Sequence, residues 1–332
     1  MLPDHELPGE IVGSDAAAEA SHTGDAMSDP NTERRLPRAL PVDPSRIEPL
    51  LNECFPVEQG GSFFDDFPAW NSERALWLAL VDSEGRPAAA AGALPGEWLL
   101  GGEGGSITIV RIGGVVTHEA WRGHGLASEL VGVLAEHSRN AGARACVLWG
   151  SDSPLYRRLG FEPLGRQIRA PLAALVGAEE RAPGLLRLEE GFTGDVFRAM
   201  GESRRLCGGV GLSSAEEEEV LRYRNTRWAR VLDSEGTLRG YGAFGKGIDL
   251  GFQLHEWGGS PEAVRMIGRW AHALDARAEI MGTQAGLEKI FGELPGESVV
   301  ESLCLAKVFD PETRALLSER EDQLWFWGLD GV

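Results

Sequence analysis

The sequence contains no apolar run of bilayer-spanning length, and no basic segment followed by an apolar one near its start. Neither a membrane protein nor a secreted one is expected. Cysteine is scarce. Cys54, Cys146, Cys207 and Cys304 are widely separated, with no Cys-x-x-Cys pair and no Cys/His cluster. That excludes a disulfide framework or a zinc module and fits free thiols in a reducing cytoplasm. Positive charge is short as well: 32 Lys and Arg face 51 Asp and Glu, a net charge of −19. A nucleic-acid partner needs a Lys/Arg surface to neutralise phosphates, so that class is excluded. The acidity is compatible with drawing in a cationic or amine substrate, and equally with solubility alone. The Gly-Lys-Ser/Thr of a nucleotide-binding phosphate loop is absent, and so is the third glycine of a dinucleotide fingerprint. No metal site is expected. His118 and His124 lack a third ligand at suitable spacing, and the glutamates 216–219, preceded by Ser213, form a capping box with acids in a first helical turn.

What is present is enough chain for two globular domains: 332 residues, 42% apolar and 25% charged. Residues 1–35 are rich in Asp, Glu, Ala, Ser, Gly and Pro and are expected to be disordered, with Met27 an alternative start. Pro44 and Ser45 open a short helix reaching about Cys54. Residues 75–81 and 87–94 flank Asp82-Ser83-Glu84-Gly85 and predict a hairpin. The glycine-rich stretch 101–105 precedes a strand at 107–117 and not a helix, so it is a hairpin turn. The most informative segment follows, Val115-Val116-Thr117-His118-Glu119-Ala120-Trp121-Arg122-Gly123-His124-Gly125-Leu126-Ala127. An apolar strand runs into an Arg-x-x-Gly-x-Ala loop and then an amphipathic helix over 128–141. A helix N-terminus presents unpaired N–H groups and the positive end of the helix dipole, and glycine lets a phosphate come close to the backbone. The segment predicts a pyrophosphate cradle.

The chain also repeats itself. Leu80-Val81-Asp82-Ser83-Glu84-Gly85 recurs as Val231-Leu232-Asp233-Ser234-Glu235-Gly236, and His118-Glu119 as His255-Glu256. A helix follows each His-Glu pair, at 127–141 and 261–274, then a strand at 145–149 and 279–282, then a short helix at 153–159 and 287–291. This order predicts a tandem duplication. Where the first copy has Trp121-Arg122-Gly123-His124-Gly125, the second has Trp257-Gly258-Gly259-Ser260-Pro261, and the proline removes a phosphate-binding N–H. No cofactor is expected in the second copy. Residues 322–329, with Trp325 and Trp327 on one face, predict its last strand.

Arg122-x-x-Gly125-x-Ala127, with a strand before it and a helix after it, is followed one strand later by Tyr156-Arg157-Arg158-Leu159-Gly160-Phe161. In this combination residues 75–170 resemble the GNAT superfamily of N-acetyltransferases. The tandem plan is similar to the N-terminal two-thirds of the enhanced-intracellular-survival acetyltransferases, and no counterpart of that group's sterol-carrier-like third domain is expected in these 332 residues. The resemblance implies an α/β (α+β) fold of two tandem GNAT-like domains, each a mixed, mostly antiparallel sheet flanked by helices. The expected division is 36–175 for a catalytic domain and 176–332 for a degenerate one.

The resemblance further implies acetyl-CoA as cosubstrate and direct attack by a small-molecule or peptide amine on the thioester. Backbone N–H groups of Gly123, His124, Gly125, Leu126 and Ala127 would hold the pyrophosphate, supported by Arg122. Val115, Val116 and Thr117 would pair with the pantetheine arm like an added strand, and the Val115 N–H would stabilise the oxyanion. Tyr156 is the expected general acid for the departing thiolate; the alternative is that it packs its ring and only holds the sulfur. The strand 107–117 offers no carboxylate as base. Asp152 could act through water or simply cap the helix beginning at Ser153. Asp65, Asp66 and Trp70 are candidates for the acceptor side, although loop carboxylates are more often simply solvated. A non-catalytic acyl-CoA sensor or scaffold is the alternative function.

Overall fold

A computed structural model describes residues 39–55, 57, 61–150, 154–177, 186–213, 216–223, 225–247 and 249–331. The expectations for 1–35 and Met27 lie outside the described residues. One element order occurs twice. The first run is β1 (Leu40–Pro41), α1 (Pro44–Cys54), α2 (Phe63–Asp66), β2 (Leu76–Val81), β3 (Pro87–Leu99), β4 (Ser106–Thr117), α3 (Leu126–Asn140), β5 (Ala145–Leu148), α4 (Pro154–Arg158), β6 (Glu162–Pro171) and α5 (Leu172–Leu175). The second is β7 (Arg187–Glu190), α6 (Gly194–Cys207), β8 (Gly209–Val210), α7 (Glu216–Leu221), β9 (Arg227–Leu232), β10 (Leu238–Phe244), β11 (Gln253–Gly259), α8 (Pro261–Leu274), β12 (Glu279–Gly282), α9 (Gln284–Phe291), β13 (Val299–Val308) and α10 (Pro311–Glu319).

Among the described residues the strands form one sheet in the order β1-β2-β3-β4-β5-β13-β6-β12-β11-β10-β9-β7, with β8 paired to the end of β3. From the two edges inward the halves match, β1-β2-β3-β4-β5 against β7-β9-β10-β11-β12. The β4–β5 and β11–β12 contacts are parallel, because α3 and α8 each return the chain to the same end of the sheet. At the centre the copies exchange strands. β13 of the second copy pairs with β5 of the first, Leu305 opposite Leu148 and Val308 opposite Ala145. β6 of the first copy pairs with β12 of the second, Ala170 opposite Ile280. Each half thus covers an edge that the other would expose.

Residue alternation along β4 sets the two faces. Val110 and Ile112 pack on Leu126, Leu130, Val131 and Leu134 of α3, the apolar stripe evident in the sequence. Full burial of Leu130 and Leu134 contributes about 2–3 kcal/mol each. On the other face α1 and α2 supply Ile47, Leu51 and Phe63 to a core with Trp70, Trp77 and Val116.

Two expectations are corrected. Residues 322–329 are not a strand: the 3-10 turns Glu321–Gln323 and Gly328–Asp330 bracket irregular chain. Trp325 and Trp327 are buried, at 2% and 3% exposure, yet the carbonyls here accept from side chains rather than from a ladder. Trp98 Nε1 donates to Trp325 O, Arg111 Nη1 to Asp330 O, and Lys246 Nζ to Gly328 O and Gly331 O. The last strand is β13, which the sequence reading did not contain. Second, His118-Glu119 and His255-Glu256 are not equivalent. Ala145 opens β5 opposite Ile109, and Glu279 opens β12 opposite Gln253. Two residues further on, His255 matches Arg111, whereas His118 follows the end of β4.

Candidate active site

The first copy's central strands part beyond Arg111. β4 and β5 pair at Ile109–Ala145, Val110–Cys146 and Arg111–Val147, after which β5 ends at Leu148 and β4 runs on to Thr117. Among the described residues no strand covers this edge of β4 from Ile112 onward. Within it lies a bulge: Ala90 pairs with Val116 and Gly92 with Gly113, so Gly114 and Val115 stand opposite Ala91 alone. Gly114 has φ +57°, and a Cβ there would lie 2.4 Å from Trp77 Cη2. Position 114 therefore needs glycine for both conformation and space.

The loop after β4 is braced from within. Arg122 Nε donates to Thr117 O at 3.2 Å, tying the loop to the strand end. The His124 Nδ1 lies 3.1 Å from Trp121 O and 3.0 Å from Arg122 O, which makes it the protonated nitrogen. His118 Nδ1 accepts from the Ala120 N–H. Gly123 and Gly125 have φ +81° and +79°, and a Cβ on either would meet open space. The first N–H of α3 with a helical acceptor is that of Glu129, on Gly125 O at 3.1 Å. The N–H groups of residues 123–128 have no acceptor among the described residues. Six free donors, a positive helix end and an open face at the two glycines are features that suit an anion.

Across the splay, Trp149 and Gly150 follow β5, and a Cβ on Gly150 would sit 3.7 Å from Tyr156 Cε2. Tyr156, on α4, is half-buried, with its ring edge-on to Phe161 at 6.2 Å. Burial raises the Tyr156 hydroxyl above the usual phenol range, so it stays protonated at neutral pH. Asp152 lies outside the described residues.

The three acceptor-side candidates are placed otherwise than a solvent-facing cleft requires. The Asp65 carboxylate accepts from the Ser62 N–H at 3.1 Å in the capping box of α2. Asp66 is buried and accepts from Asn225 Nδ2 at 2.8 Å, joining α2 to the second copy. Trp70 is 1% exposed, its carbonyl accepting from Trp77 Nε1 and its ring lying against Gly92. The aromatic content of this region serves the core.

The corresponding connection in the second copy is closed. Ser260 donates its N–H to Arg239 O at 2.8 Å and accepts the Ala263 N–H on its own hydroxyl, while Pro261 has no N–H. A Cβ on Gly259 would fall 2.2 Å from Arg239 O, so this loop is pressed onto β10 with no concavity.

Behind the splay, on the face away from α3, lies a buried polar cluster that sequence reasoning missed. Arg204 of α6, wholly buried, donates to both Glu256 oxygens at 3.0 and 2.6 Å and to Asp330 Oδ1 at 3.1 Å. Asp330 Oδ2 accepts the N–H groups of Val210 and Trp327. Burial pushes the Glu256 carboxyl above its usual range, and the Arg204 fork pulls it back. His255 is held neutral by burial, its pKa pushed down to about 3, and its Nε2 lies 3.0 Å from Gly245 O. Lys246, also buried, has its pKa lowered to about 8 by desolvation. Among the described residues no helix is long and apolar enough to cross a membrane, and no three His, Cys, Asp or Glu side chains are grouped to hold a metal ion.

Residues 45–161 match the family model described as the Acetyltransferase (GNAT) family. This stretch, about a third of the chain, contains the splay, the bulge and the unpaired N–H groups, and it is a domain of the GNAT acetyltransferase type. Acyl transfer is the class of reaction that family defines. Similar solved structures include a probable N-acyltransferase of Enterococcus faecalis V583, 14% identical with a TM-score of 0.60 over 82% of this chain and 72% of that one. A GCN5-related N-acetyltransferase from Anabaena variabilis ATCC 29413 is 16% identical, with a TM-score of 0.59 over 82% and 73%. A putative acetyltransferase from Pyrococcus horikoshii is 14% identical, with a TM-score of 0.54 over 94% and 100%. These likenesses establish the fold. No curated protein matches the sequence.

Proposed function

We propose that the chain transfers an acetyl group from acetyl-CoA to an amine, with residues 36–175 carrying the one active site and 176–332 forming a degenerate copy. The observation that carries this reading is the row of unclaimed N–H groups over 123–128, beside two glycines whose Cα faces are open. The residues fit a pyrophosphate: Gly123, His124, Gly125, Leu126 and Ala127 donate, and Arg122 fixes the loop and adds positive charge. Val115, Val116 and Thr117 offer the uncovered strand edge to the pantetheine arm. The Val115 N–H, which the bulge takes out of regular pairing, would donate to the thioester carbonyl oxygen.

In the reaction the amine nitrogen attacks the carbonyl carbon and the carbon–sulfur bond breaks. The amine loses a proton to a base, for which Asp152 acting through water is a candidate, and the thiolate takes one from Tyr156. A half-buried phenol held protonated suits that role. Tyr156→Phe is expected to lower kcat about 100- to 10,000-fold while CoA binding is kept, measured as thiol release from acetyl-CoA across an amine panel. Undiminished turnover in this variant would remove Tyr156 from the mechanism.

A further inference from the structure

The second copy's central strands also part, and a side chain bridges the gap. β11 and β12 pair only at Gln253–Glu279 and Leu254–Ile280, after which β12 continues to Gly282 and β11 to Gly259. In a parallel ladder every second residue of a strand turns its N–H and carbonyl to the same neighbour. Glu279 gives its N–H to Phe252 O, just before β11, so Met281, two residues on, turns its carbonyl to the β11 side as well. Trp257 of β11 donates its indole Nε1–H to that Met281 carbonyl at 2.7 Å. The indole therefore reaches from one strand to the other. Two glycines make room for the ring: a Cβ on Gly282 would lie 3.0 Å from Trp257 Cζ2, and one on Gly286 of α9 would lie 3.6 Å from Cη2. Trp327 stands edge-on at 5.7 Å, and Trp257 is 8% exposed. Along β4 beyond its last pair with β5 stand Ile112, Gly113, Gly114, Val115, Val116 and Thr117, with no aromatic side chain to cross the corresponding gap.

Other core tryptophans also donate to carbonyls, Trp77 to Trp70 O and Trp98 to Trp325 O, but those acceptors lie in 3-10 or irregular chain. The Trp257 acceptor belongs to the open edge of a strand, where a further residue of β11 would bond if the ladder went on. We propose that the second copy keeps an inter-strand binding site for a planar, indole-sized aromatic with an N–H donor, and that Trp257 is its built-in occupant. The second copy is then closed twice, at the loop 259–261 and between its strands, so reopening the loop alone would not admit a ligand. None of these contacts involves residues 123–128, and the proposal stands whether or not the first copy transfers an acyl group.

Shortening the side chain should turn the occupied site into an empty one that takes the free molecule, as enclosed apolar cavities do. Trp257→Gly in the full chain is expected to lower Tm by about 10 °C, read by scanning calorimetry. Indole at about 2 mM should raise the Tm of the variant by at least about 3 °C and that of the native chain by less than about 1 °C. 1-Methylindole fills the same space without the N–H and should give roughly half that shift or less. Trp270→Ala is the control: its indole lies on α8 and donates to Glu190 Oε1 at 3.2 Å, so indole should not recover its loss. An equal shift in native chain, control and Trp257→Gly, or no shift in Trp257→Gly, would overturn the assignment. So would a response to 1-methylindole as large as that to indole. Where Trp257→Gly does not fold alone, refolding from urea with and without indole gives a second readout. Soluble chain recovered only with indole supports the site, and recovery in neither case overturns it.

Discussion

Replacing Asp330 by alanine tests how the C-terminal segment is held. The side chain is 2% exposed and accepts three hydrogen bonds, from Arg204 Nη2 at 3.1 Å, Val210 N at 3.0 Å and Trp327 N at 2.9 Å. Removing one member of a buried ion pair costs about 3–5 kcal/mol, because the partner charge stays desolvated. Arg204 keeps Glu256, which softens that loss, whereas the two abandoned N–H groups add about 1–3 kcal/mol each. The losses fall within one network and do not simply add. A net destabilisation of roughly 4 kcal/mol follows. At about 2–4 °C per kcal/mol for chains of 150–250 residues, Tm should drop by roughly 8–16 °C. The assay is urea and thermal unfolding followed by tryptophan fluorescence, since Trp325 and Trp327 sit in the segment. Asp322→Ala serves as control: its side chain is 81% exposed, 3.8 Å from Arg166, and its loss should stay within about 0.5 kcal/mol. An Asp330→Ala variant within about 1 kcal/mol of the native chain would show that these three bonds do not hold the C-terminal segment.

Lys246 gives a pH signature of defined sign. Its pKa falls from 10.5 to about 8 on burial, so below about pH 8 both folded and unfolded chains hold the proton and the folded one bears the full desolvation cost. Between 8 and 10.5 the folded chain has released it and the unfolded chain has not, so stability rises with pH. The rise is worth about 3 kcal/mol. Asp66, Asp249, Asp330, Arg111 and His255 face the same ammonium and remain in both proteins, so Lys246→Met should erase this rise in a native-minus-variant comparison from pH 7.5 to 10.5. Parallel profiles would contradict it. The exchanged strands make a second prediction: residues 39–177 expressed alone, with β5 deprived of β13 and β6 deprived of β12, should be unfolded or insoluble and be rescued by co-expression with 186–331. A folded monomeric half, by circular dichroism and sedimentation, would speak against it.

Local signals were legible. The Asp82-Ser83-Glu84-Gly85 turn, the apolar stripe of α3 and the loop glycines are each written in a few adjacent residues, and the hairpins and helices stand where those residues predict. What was not legible depends on pairing over distance. Nothing in β13 tells whether it will pair with β12 of its own copy or with β5 of the other. The shared His-Glu dipeptide misled because strand register, not identity, makes Arg111 the counterpart of His255. Alternating tryptophans at 325 and 327 imitate a strand, yet they alternate about a backbone bonded to side chains. The buried cluster draws Arg111, Arg204, Glu256 and Asp330 from four distant places. At the candidate site, the glycine loop and the free N–H groups before α3 were readable because they are local backbone features. The burial of Asp66 and Trp70 was not readable, because both look available in sequence and are enclosed only by distant parts of the fold.

The central claim is a single acyl-CoA site per chain, at the 123–128 cradle. Calorimetric titration of CoA into the full chain tests it most directly, run on the native protein and on Gly125→Val. A valine Cβ branch would enter the open face of the cradle in a backbone conformation, φ +79°, that β-branched residues resist. One CoA per native chain is expected, and an affinity at least about tenfold weaker in the variant, with folding retained. Two CoA molecules per chain, none, or binding unmoved by Gly125→Val would contradict it.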